Sequence, residues 1–214
     1  MCGRFYVPED ASIQMIRAIV ERLEHRNIKV KTGDVFPGDM AAVVASNRQL
    51  QPQPFAMEWG YHLSDGKRII NARSETAAQK AMFADGIRQR RCRIPAQHYY
   101  EWEKTDGRKV KYAIEPKGSD GFFLAGIYRM EAGKPVFTIL TRNAAEGIAF
   151  IHERMPVILP NSAVADWLNP QYHGDDILTV FCNSDSNQCV AFPAWRTMRE
   201  KQVQGFCGEN LAPE

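Results

Sequence analysis

The 214-residue chain is 44% hydrophobic and 24% charged, with a formal net charge of +2, which is the composition of an ordinary globular protein. This length can supply one sizeable core, so we expect a single domain over residues 1–214, with a loose tail from about residue 195. The small net charge excludes a protein that is basic throughout, so any nucleic-acid partner needs a local basic surface. No apolar run approaches the ~20 residues of a membrane span, and the N-terminus lacks the pattern of a signal peptide.

The cysteines indicate the compartment in which the protein works. There are five, an odd number without the close pairing of a disulfide framework or a zinc motif: Cys2, Cys92, Cys182, Cys189 and Cys207. Such scattered thiols are typical of a reducing compartment, so we expect a cytoplasmic protein without a structural metal.

In chain order, the sequence predicts one helix and then many strands. Residues 10–26 carry isoleucine, valine and leucine at helical spacing, with Asp10 or Ser12 available as the N-cap. Strand-like runs separated by Gly, Pro or Asp follow as AAVVAS, PFAMEWGYH, RIIN, RIPAQHYYEWEK, KVKYAIE, GFFLAGIYRM and PVFTILTRN. TDGRK predicts a hairpin turn, and SETAAQKAMFAD and SAVADWLN predict short helices. This order favours an α+β fold with curved, largely antiparallel, barrel-like sheets flanked by helices.

The N-terminal stretch MCGRF places a cysteine directly after the initiator methionine. If Met1 is removed, Cys2 carries an amine and a thiol on adjacent carbons, and this 1,2-aminothiol has chemistry that an internal cysteine lacks. Before any perturbation the amine titrates near ~7.7–8 and the thiol near ~8.5, so both nucleophiles are partly available at neutral pH. The alternative is that Cys2 is only a small apolar residue.

Three further stretches, INARSET, YYEW and IHERMPVIL, place polar residues beside apolar runs. Asn71 follows an isoleucine pair at the end of a predicted strand, and Glu101 faces away from the aromatic residues that flank it on an alternating strand. His152 precedes a run that is apolar enough to be buried. Each also has an ordinary structural explanation: Asn71 as a turn residue, Glu101 as a solvated carboxylate and His152 as a satisfied core histidine.

MCGRF, INARSET, RCRIPA followed by YYEW, and IHERMPVIL occur in this order across nearly the whole chain, which resembles the SRAP family (SOS response-associated peptidase domain). The resemblance implies a single α+β domain with a β-rich core and a positively charged channel for single-stranded DNA. It also implies that mature Cys2 bonds to the aldehyde of an abasic site as a thiazolidine, which shields the site. The implied partner is abasic single-stranded DNA, including junctions with duplex DNA. The resemblance also implies a monomer that needs no cofactor and is associated with the nucleoid when it is bound to DNA.

The family pattern assigns catalytic roles to four residues: Cys2, Asn71, Glu101 and His152. We expect Glu101 to shuttle the proton that opens the cyclic sugar before the Cys2 amine attacks C1′. The two tethered nucleophiles then close a five-membered ring. Asn71 has the hydrogen-bonding groups to hold the opened sugar, and His152 can stabilise its hydroxyl or a phosphate.

Residues beside these positions form the predicted DNA surface. Arg4, Arg73 and Arg154 are expected to hold phosphates, and Trp59 and Trp102 to stack on bases, with core burial as the alternative for the tryptophans. RQRRCR, residues 88–93, either extends the basic face or supplies cations at the end of a helix.

The chain departs from the common family pattern at two places. Asp34 stands where many members have asparagine, and an acid beside DNA repels phosphate unless its side chain faces inward. Gln97 and His98 stand where members often have Asp-Gly.

Two other functional classes remain open at this stage. Cys2 followed by glycine also begins class II glutamine amidotransferases and resembles N-terminal nucleophile hydrolases, which predicts an amidase or peptidase. INARSET and IHERMPVIL are not expected in those enzymes. A noncovalent DNA-binding module would leave Cys2 without a role. The family name also raises the possibility of a peptidase activity that removes Met1 from the protein itself.

Overall fold

The computed structural model of the protein describes residues 2–10, 12–105, 108–172, 178 and 189–194. Its strands are β1 (Phe5–Val7), β2 (Gly33–Val35), β3 (Met40–Ser46), β4 (Pro52–Trp59), β5 (Tyr61–His62), β6 (Arg68–Ile69), β7 (Asn71–Arg73), β8 (Arg91–Ala96), β9 (His98–Thr105), β10 (Arg108–Pro116), β11 (Phe122–Glu131), β12 (Lys134–Asn143), β13 (Arg154–Pro156), β14 (Ile158–Leu159) and β15 (Cys189–Pro193). Its α-helices are α1 (Gln14–Glu24), α2 (Ser74–Ala77), α3 (Ala81–Gln89) and α4 (Val164–Leu168). Short 3-10 helices span Glu146–Ile148 and Asn161–Ala163.

Two larger sheets form the body of the fold. One has five strands in the order β15-β10-β9-β1-β2, with antiparallel neighbours. In the other, β12, β4, β3, β8 and β11 pair in sequence, and β11 pairs again with β12, which closes a five-stranded barrel. The short strands β7 and β13 pair with β12, and β14 pairs with β11. The predicted α+β class with largely antiparallel, barrel-like sheets is therefore confirmed.

Alternating residues of the barrel strands divide between two buried clusters. Ile94 and Leu124 belong to the first cluster, which also takes in α1 and the inner side of the five-stranded sheet. Ala125 and Ile127 belong to the second cluster, which α3 and α4 cover. This division follows from the two-residue period of a strand, whose successive side chains point to opposite faces. The first cluster contains Cys2, so the proposed nucleophile lies against the main core.

Most elements agree with the sequence, and the differences are local. α1 begins at Gln14 rather than near residue 10, its N-cap is Ile13, and no side chain caps it, so the predicted cap by Asp10 or Ser12 is wrong. Ser12 instead hydrogen-bonds the Asp10 carboxylate through both its amide and its hydroxyl, which forms a local turn before the helix.

The predicted hairpin and helices are present with adjusted bounds. β9 and β10 pair with Thr105 opposite Arg108, and the two turn residues between them lie outside the described residues. SETAAQKAMFAD forms two short helices, α2 and α3, rather than one. The predicted loose tail from about residue 195 also lies outside the described residues. Within the described residues, no helix is long and apolar enough to cross a membrane.

Candidate active site and nucleic-acid interface

Cys2 lies just before β1 and is completely enclosed by the first cluster. Its thiol is 3.7 Å from the Arg4 carbonyl oxygen, to which it donates. Its own carbonyl oxygen accepts a hydrogen bond of 2.8 Å from the side-chain Nδ2 of Asn71. Asn71 begins β7, which pairs in parallel with β12 and is thereby held beside the N-terminal segment. Residues 69 positions apart thus meet at the backbone of the predicted nucleophile.

Glu101 faces the same buried region from β9. Only 4% of this residue is exposed, and its neighbours Tyr100 and Trp102 lie on the other face of the strand, where both approach Arg4. The predicted orientation of Glu101 away from these aromatic residues is therefore confirmed. Burial, and after it the charge of Glu101, raise the pKa of the Cys2 thiol well above its ordinary value. The thiol is therefore protonated at neutral pH.

The two polar groups of the Asn71 side-chain amide differ in their hydrogen bonding. While Nδ2 donates to the Cys2 carbonyl, Oδ1 is buried and has no hydrogen-bond partner among the described residues. Because buried polar atoms are nearly always paired, an orphaned acceptor beside a reactive group indicates a place for a ligand donor. A sugar hydroxyl or an ammonium group has the chemistry that Oδ1 needs.

His152 lies between the 3-10 helix Glu146–Ile148 and β13, and it is half-buried. Its Nδ1 is 2.9 Å from the backbone nitrogen of Arg154, which donates to it. This bond makes Nδ1 an acceptor, so Nε2 carries the proton when the ring is neutral. His152 is therefore anchored as a hydrogen-bond donor through Nε2.

Arg154 has an internal ion pair. Its guanidinium forms two parallel bonds to the Glu75 carboxylate, of 2.7 and 2.8 Å, and further bonds to Asn143 and the Thr141 carbonyl. The side chain is 8% exposed, whereas Glu75 is 43% exposed, and Arg154 lowers the pKa of Glu75. The sequence predicts that Arg154 contacts a phosphate, whereas in the structure its guanidinium pairs with Glu75. A phosphate would have to compete with that carboxylate.

Arg4 is surrounded by aromatic rings on the outer face of the five-stranded sheet. Its guanidinium carbon is 4.3 Å from the ring centre of Phe36, 5.3 Å from that of Trp102 and 6.0 Å from that of Tyr100. Its Nε is buried without a partner among the described residues, and Nη1 is 3.4 Å from Asp34. Interleaved cations and aromatic rings are typical of single-stranded nucleic-acid surfaces. Phe36, which is 39% exposed, was not predicted as part of this surface.

The departures from the family pattern meet on this same outer face. Asp34 lies 3.8 Å from the Lys111 ammonium and raises the pKa of Tyr100, after burial, by charge and by a hydrogen bond. The Tyr100 hydroxyl is 2.9 Å from Nε2 of His98, whose ring stacks on Tyr6. Asp34 therefore faces the cations Arg4 and Lys111, which is the orientation that reduces its repulsion of phosphate. Lys111 was not predicted as part of this surface.

The sequence model of the SOS response associated peptidase (SRAP) family matches residues 1–198. The chain is a member of the SRAP family. Among the relatives of this SRAP protein, "Abasic site processing protein YoqW" of Bacillus subtilis is 37% identical over 126 residues, 56% of each chain. "Abasic site processing protein YedK" of Escherichia coli is 27% identical over 217 residues, 96% of this chain and 97% of that protein. The chain thus spans about half the length of its Bacillus relatives and nearly all of YedK.

Solved structures support the SRAP fold. A crystal structure of a protein from Bacteroides thetaiotaomicron superposes with a TM-score of 0.74, at 23% identity, over 89% of this chain and 91% of that one. A second, from Bordetella bronchiseptica, has a TM-score of 0.70 at 24% identity, over 89% of this chain and 98% of that one. At this identity the likeness concerns the fold alone.

The exposure of two residues bears on the predicted DNA surface of this SRAP protein. Trp59 is fully enclosed between Phe5 and Phe137, and its indole nitrogen donates to the Ile70 carbonyl, so the predicted base stacking by Trp59 is wrong. Core burial, the alternative, explains this residue. Arg73 is exposed at the end of β7, where phosphate can reach it.

The basic run of residues 88–93 is divided between structural roles. Arg91 is 4% exposed and donates to carbonyls that include Trp167 and Ile87, and Arg93 lies 4.5 Å over the Phe123 ring. Arg88 lies in the last turn of α3, which is the position expected for a cation at the end of a helix.

Among the described residues of this SRAP protein, no group of His, Cys, Asp and Glu side chains is arranged to hold a metal ion.

Proposed function

We propose that this protein captures abasic sites in single-stranded DNA covalently through Cys2, as a thiazolidine that shields the damaged sugar. The observation that carries the proposal is the convergence on Cys2 of the Asn71 amide and the buried Glu101 carboxylate. The chain's relatives are named abasic site processing proteins, which supports the same substrate. The proposed active form has Cys2 as its first residue, after removal of Met1 by the protein itself or by an aminopeptidase.

The reaction balances without a cofactor. Glu101 assists opening of the cyclic sugar, which exposes the C1′ aldehyde. The Cys2 amine bonds to C1′, the aldehyde oxygen leaves as water, and an imine remains. The thiol sulfur then bonds to C1′ while its proton passes to the imine nitrogen, which closes the ring. Both nucleophiles belong to one residue, so the second step is intramolecular.

The raised pKa of the Cys2 thiol, which belongs to the chain that still carries Met1, agrees with this order of steps. A protonated thiol is a weak nucleophile, so the amine attacks first and the sulfur follows when a base takes its proton. Glu101, whose charge contributes to that raised pKa, is the base placed for this transfer. Asn71 Oδ1 accepts from an opened-sugar hydroxyl, and His152 donates through Nε2 to a neighbouring oxygen.

DNA binding is assigned to the outer face of the five-stranded sheet and to Arg73. Arg4 and Arg73 hold phosphates, Trp102 and Phe36 contact bases, and Lys111 adds charge. Arg154 contributes only where a phosphate displaces Glu75.

The test is the intact mass of the protein after incubation with a uracil-containing single strand treated with uracil glycosylase. The expected product survives denaturation and has the mass of the Met1-free protein plus the DNA minus one water. A variant that keeps a residue before Cys2 should form no thiazolidine, because its α-amine is blocked. Cys2→Ala should form only an imine that borohydride traps. Glutamine hydrolysis without any adduct would contradict the proposal and favour the amidotransferase reading.

A further inference from the structure

Tyr99 is a tyrosine whose side chain is fully buried in the first cluster. It lies on β9 two residues before Glu101 and on the same face, about 7 Å along the strand. Its register partner on β1 is Phe5, three residues after Cys2, and both Cys2 and Tyr99 belong to the first buried cluster with 0% exposure. Tyr99, Glu101 and Cys2 therefore face one interior region.

The Tyr99 hydroxyl is buried and has no hydrogen-bond partner among the described residues. A phenylalanine would fill the same space without leaving a polar atom unpaired, so the hydroxyl lowers the stability of the free protein. The other buried tyrosine of the same strand differs, because the Tyr100 hydroxyl contacts His98 on the outer face. An unpaired group of this kind, beside a reactive residue, indicates a partner that arrives with the substrate.

The electrostatic surroundings keep this group a donor. Burial raises the pKa of Tyr99 well above its ordinary value, and the neighbouring acidic groups Cys189, Cys2 and Glu101 add to the increase. The phenol is therefore neutral at any physiological pH and carries a proton to share. Neutral phenols buried in apolar sites stabilise oxyanions by hydrogen bonding without transferring the proton.

We propose that the Tyr99 hydroxyl is a further catalytic group, which donates a hydrogen bond to the C1′ oxygen of the opened abasic sugar. The inference rests on the proposed covalent capture. When the Cys2 amine bonds to C1′, the carbon–oxygen π electrons move to oxygen, and Tyr99 stabilises the charge that develops there. That oxygen takes the two protons that the nitrogen loses, one after the other through Glu101, and leaves as water when the imine forms. Tyr99 keeps its own proton throughout.

The experiment compares Tyr99→Phe with wild type in single-turnover adduct formation at saturating abasic single strand. We expect the covalent step to slow by about tenfold or more, because removal of one oxyanion donor costs up to ~10²–10³-fold. Affinity for a strand carrying a tetrahydrofuran analogue, which has no aldehyde, should stay within about twofold of wild type. The midpoint of thermal unfolding should be unchanged or raised, which excludes misfolding as the cause.

The matched control is Tyr61→Phe, which removes the hydroxyl of a tyrosine that is 1% exposed but belongs to the second cluster. It should form adduct at the wild-type rate. In a Cys2→Ala background, Tyr99→Phe should also slow borohydride-trapped imine formation, because the donor acts before the thiol. The role of Tyr99 would be overturned if Tyr99→Phe formed adduct at the wild-type rate, or if both phenylalanine variants slowed equally. The proposed covalent function would not be affected by either result. Absence of any adduct from wild type would overturn the covalent function as well.

Discussion

Glu101 shows how much of a residue's role depends on its position along one face of a strand. On the inner face of β9 it is nearly fully buried and its charge affects the Cys2 thiol, whereas Glu103, two residues on, is reached by the Tyr112 hydroxyl at 3.0 Å. Both are carboxylates of one strand, yet only Glu101 combines burial with influence on the nucleophile. These two residues therefore form a matched pair for testing acid–base chemistry.

Glu101→Gln keeps the shape of the side chain and removes its titratable group. We expect binding of a tetrahydrofuran-containing strand to persist, while adduct formation slows by ~10²-fold or more. Because one group serves both directions of a shared step, transfer of the adduct to a competing abasic strand should slow as well. Both rates can be followed across pH on denaturing gels, with Glu103→Gln as the control. Wild-type rates in Glu101→Gln would make Glu101 structural and transfer the acid–base role to His152.

At the scale of elements, long alternating strands were predictable and short ones were not. β9, β11 and β12 have eight to ten residues and an evident period, whereas β1, β2 and β7 have three each, too few to show one. The parallel pairing of β7 with β12 brings Asn71 to Cys2 and cannot be read from local pattern.

The catalytic roles assigned to the candidate-site residues stay predictions, and the structure bears only on their placement. Motif order pointed to Cys2, Asn71, Glu101 and His152, and alternation gave the inner face of Glu101. The ion pair of Arg154 with Glu75 was not predictable, because it joins residues 79 positions apart. The burial of Trp59 was not predictable either, because the same aromatic ring suits a core and a base-stacking surface.

The five-stranded sheet supplies a prediction at this scale, because β1, β2, β9 and β10 bring Arg4, Asp34 and Lys111 together on its outer face. Asp34→Asn should strengthen binding of single-stranded DNA by roughly twofold to fivefold at low salt, since it frees two cations from an acid that is one-third exposed. The salt dependence of binding should become steeper. Anisotropy titrations at several salt concentrations measure both.

Asp65→Asn is the control for net charge. It removes an equally negative side chain that pairs with Lys67 in the exposed turn between β5 and β6. Equal gains from the two variants would show a general charge effect, and a loss of affinity in Asp34→Asn would show that Asp34 supports the DNA surface.

For the whole molecule, buried acids that stay protonated make stability depend on pH. Burial raises the pKa of Cys92 well above its ordinary value, and the residue is 0% exposed. As the pH rises past the ordinary value, the unfolded chain releases a proton that the folded chain keeps. Each such group therefore leaves the free energy of unfolding unchanged below about pH 9. Above that pH it lowers the free energy of unfolding by about 1.4 kcal/mol per pH unit.

Urea unfolding between pH 8 and pH 11, with reductant present, tests this dependence. Cys92→Ala should be less stable at pH 8, because it leaves a cavity, but its stability should fall less steeply above pH 9 than that of wild type. Cys189→Ala serves for comparison, because the pKa of Cys189 is raised only to about 11. Parallel pH curves for wild type and Cys92→Ala would contradict the account.

If Cys2 captures abasic sites as proposed, its burial has a consequence for survival under oxidative stress. Peroxides and alkylating agents react with thiolates, and a thiol that is enclosed and held protonated presents almost none to them. The same agents damage DNA bases, whose loss leaves abasic sugars. A protein that used an exposed, low-pKa cysteine for capture would be inactivated by the conditions that create its substrate. In the proposed capture reaction, enclosing the sulfur until an aldehyde has bonded to the amine would keep the thiol intact until its substrate arrives.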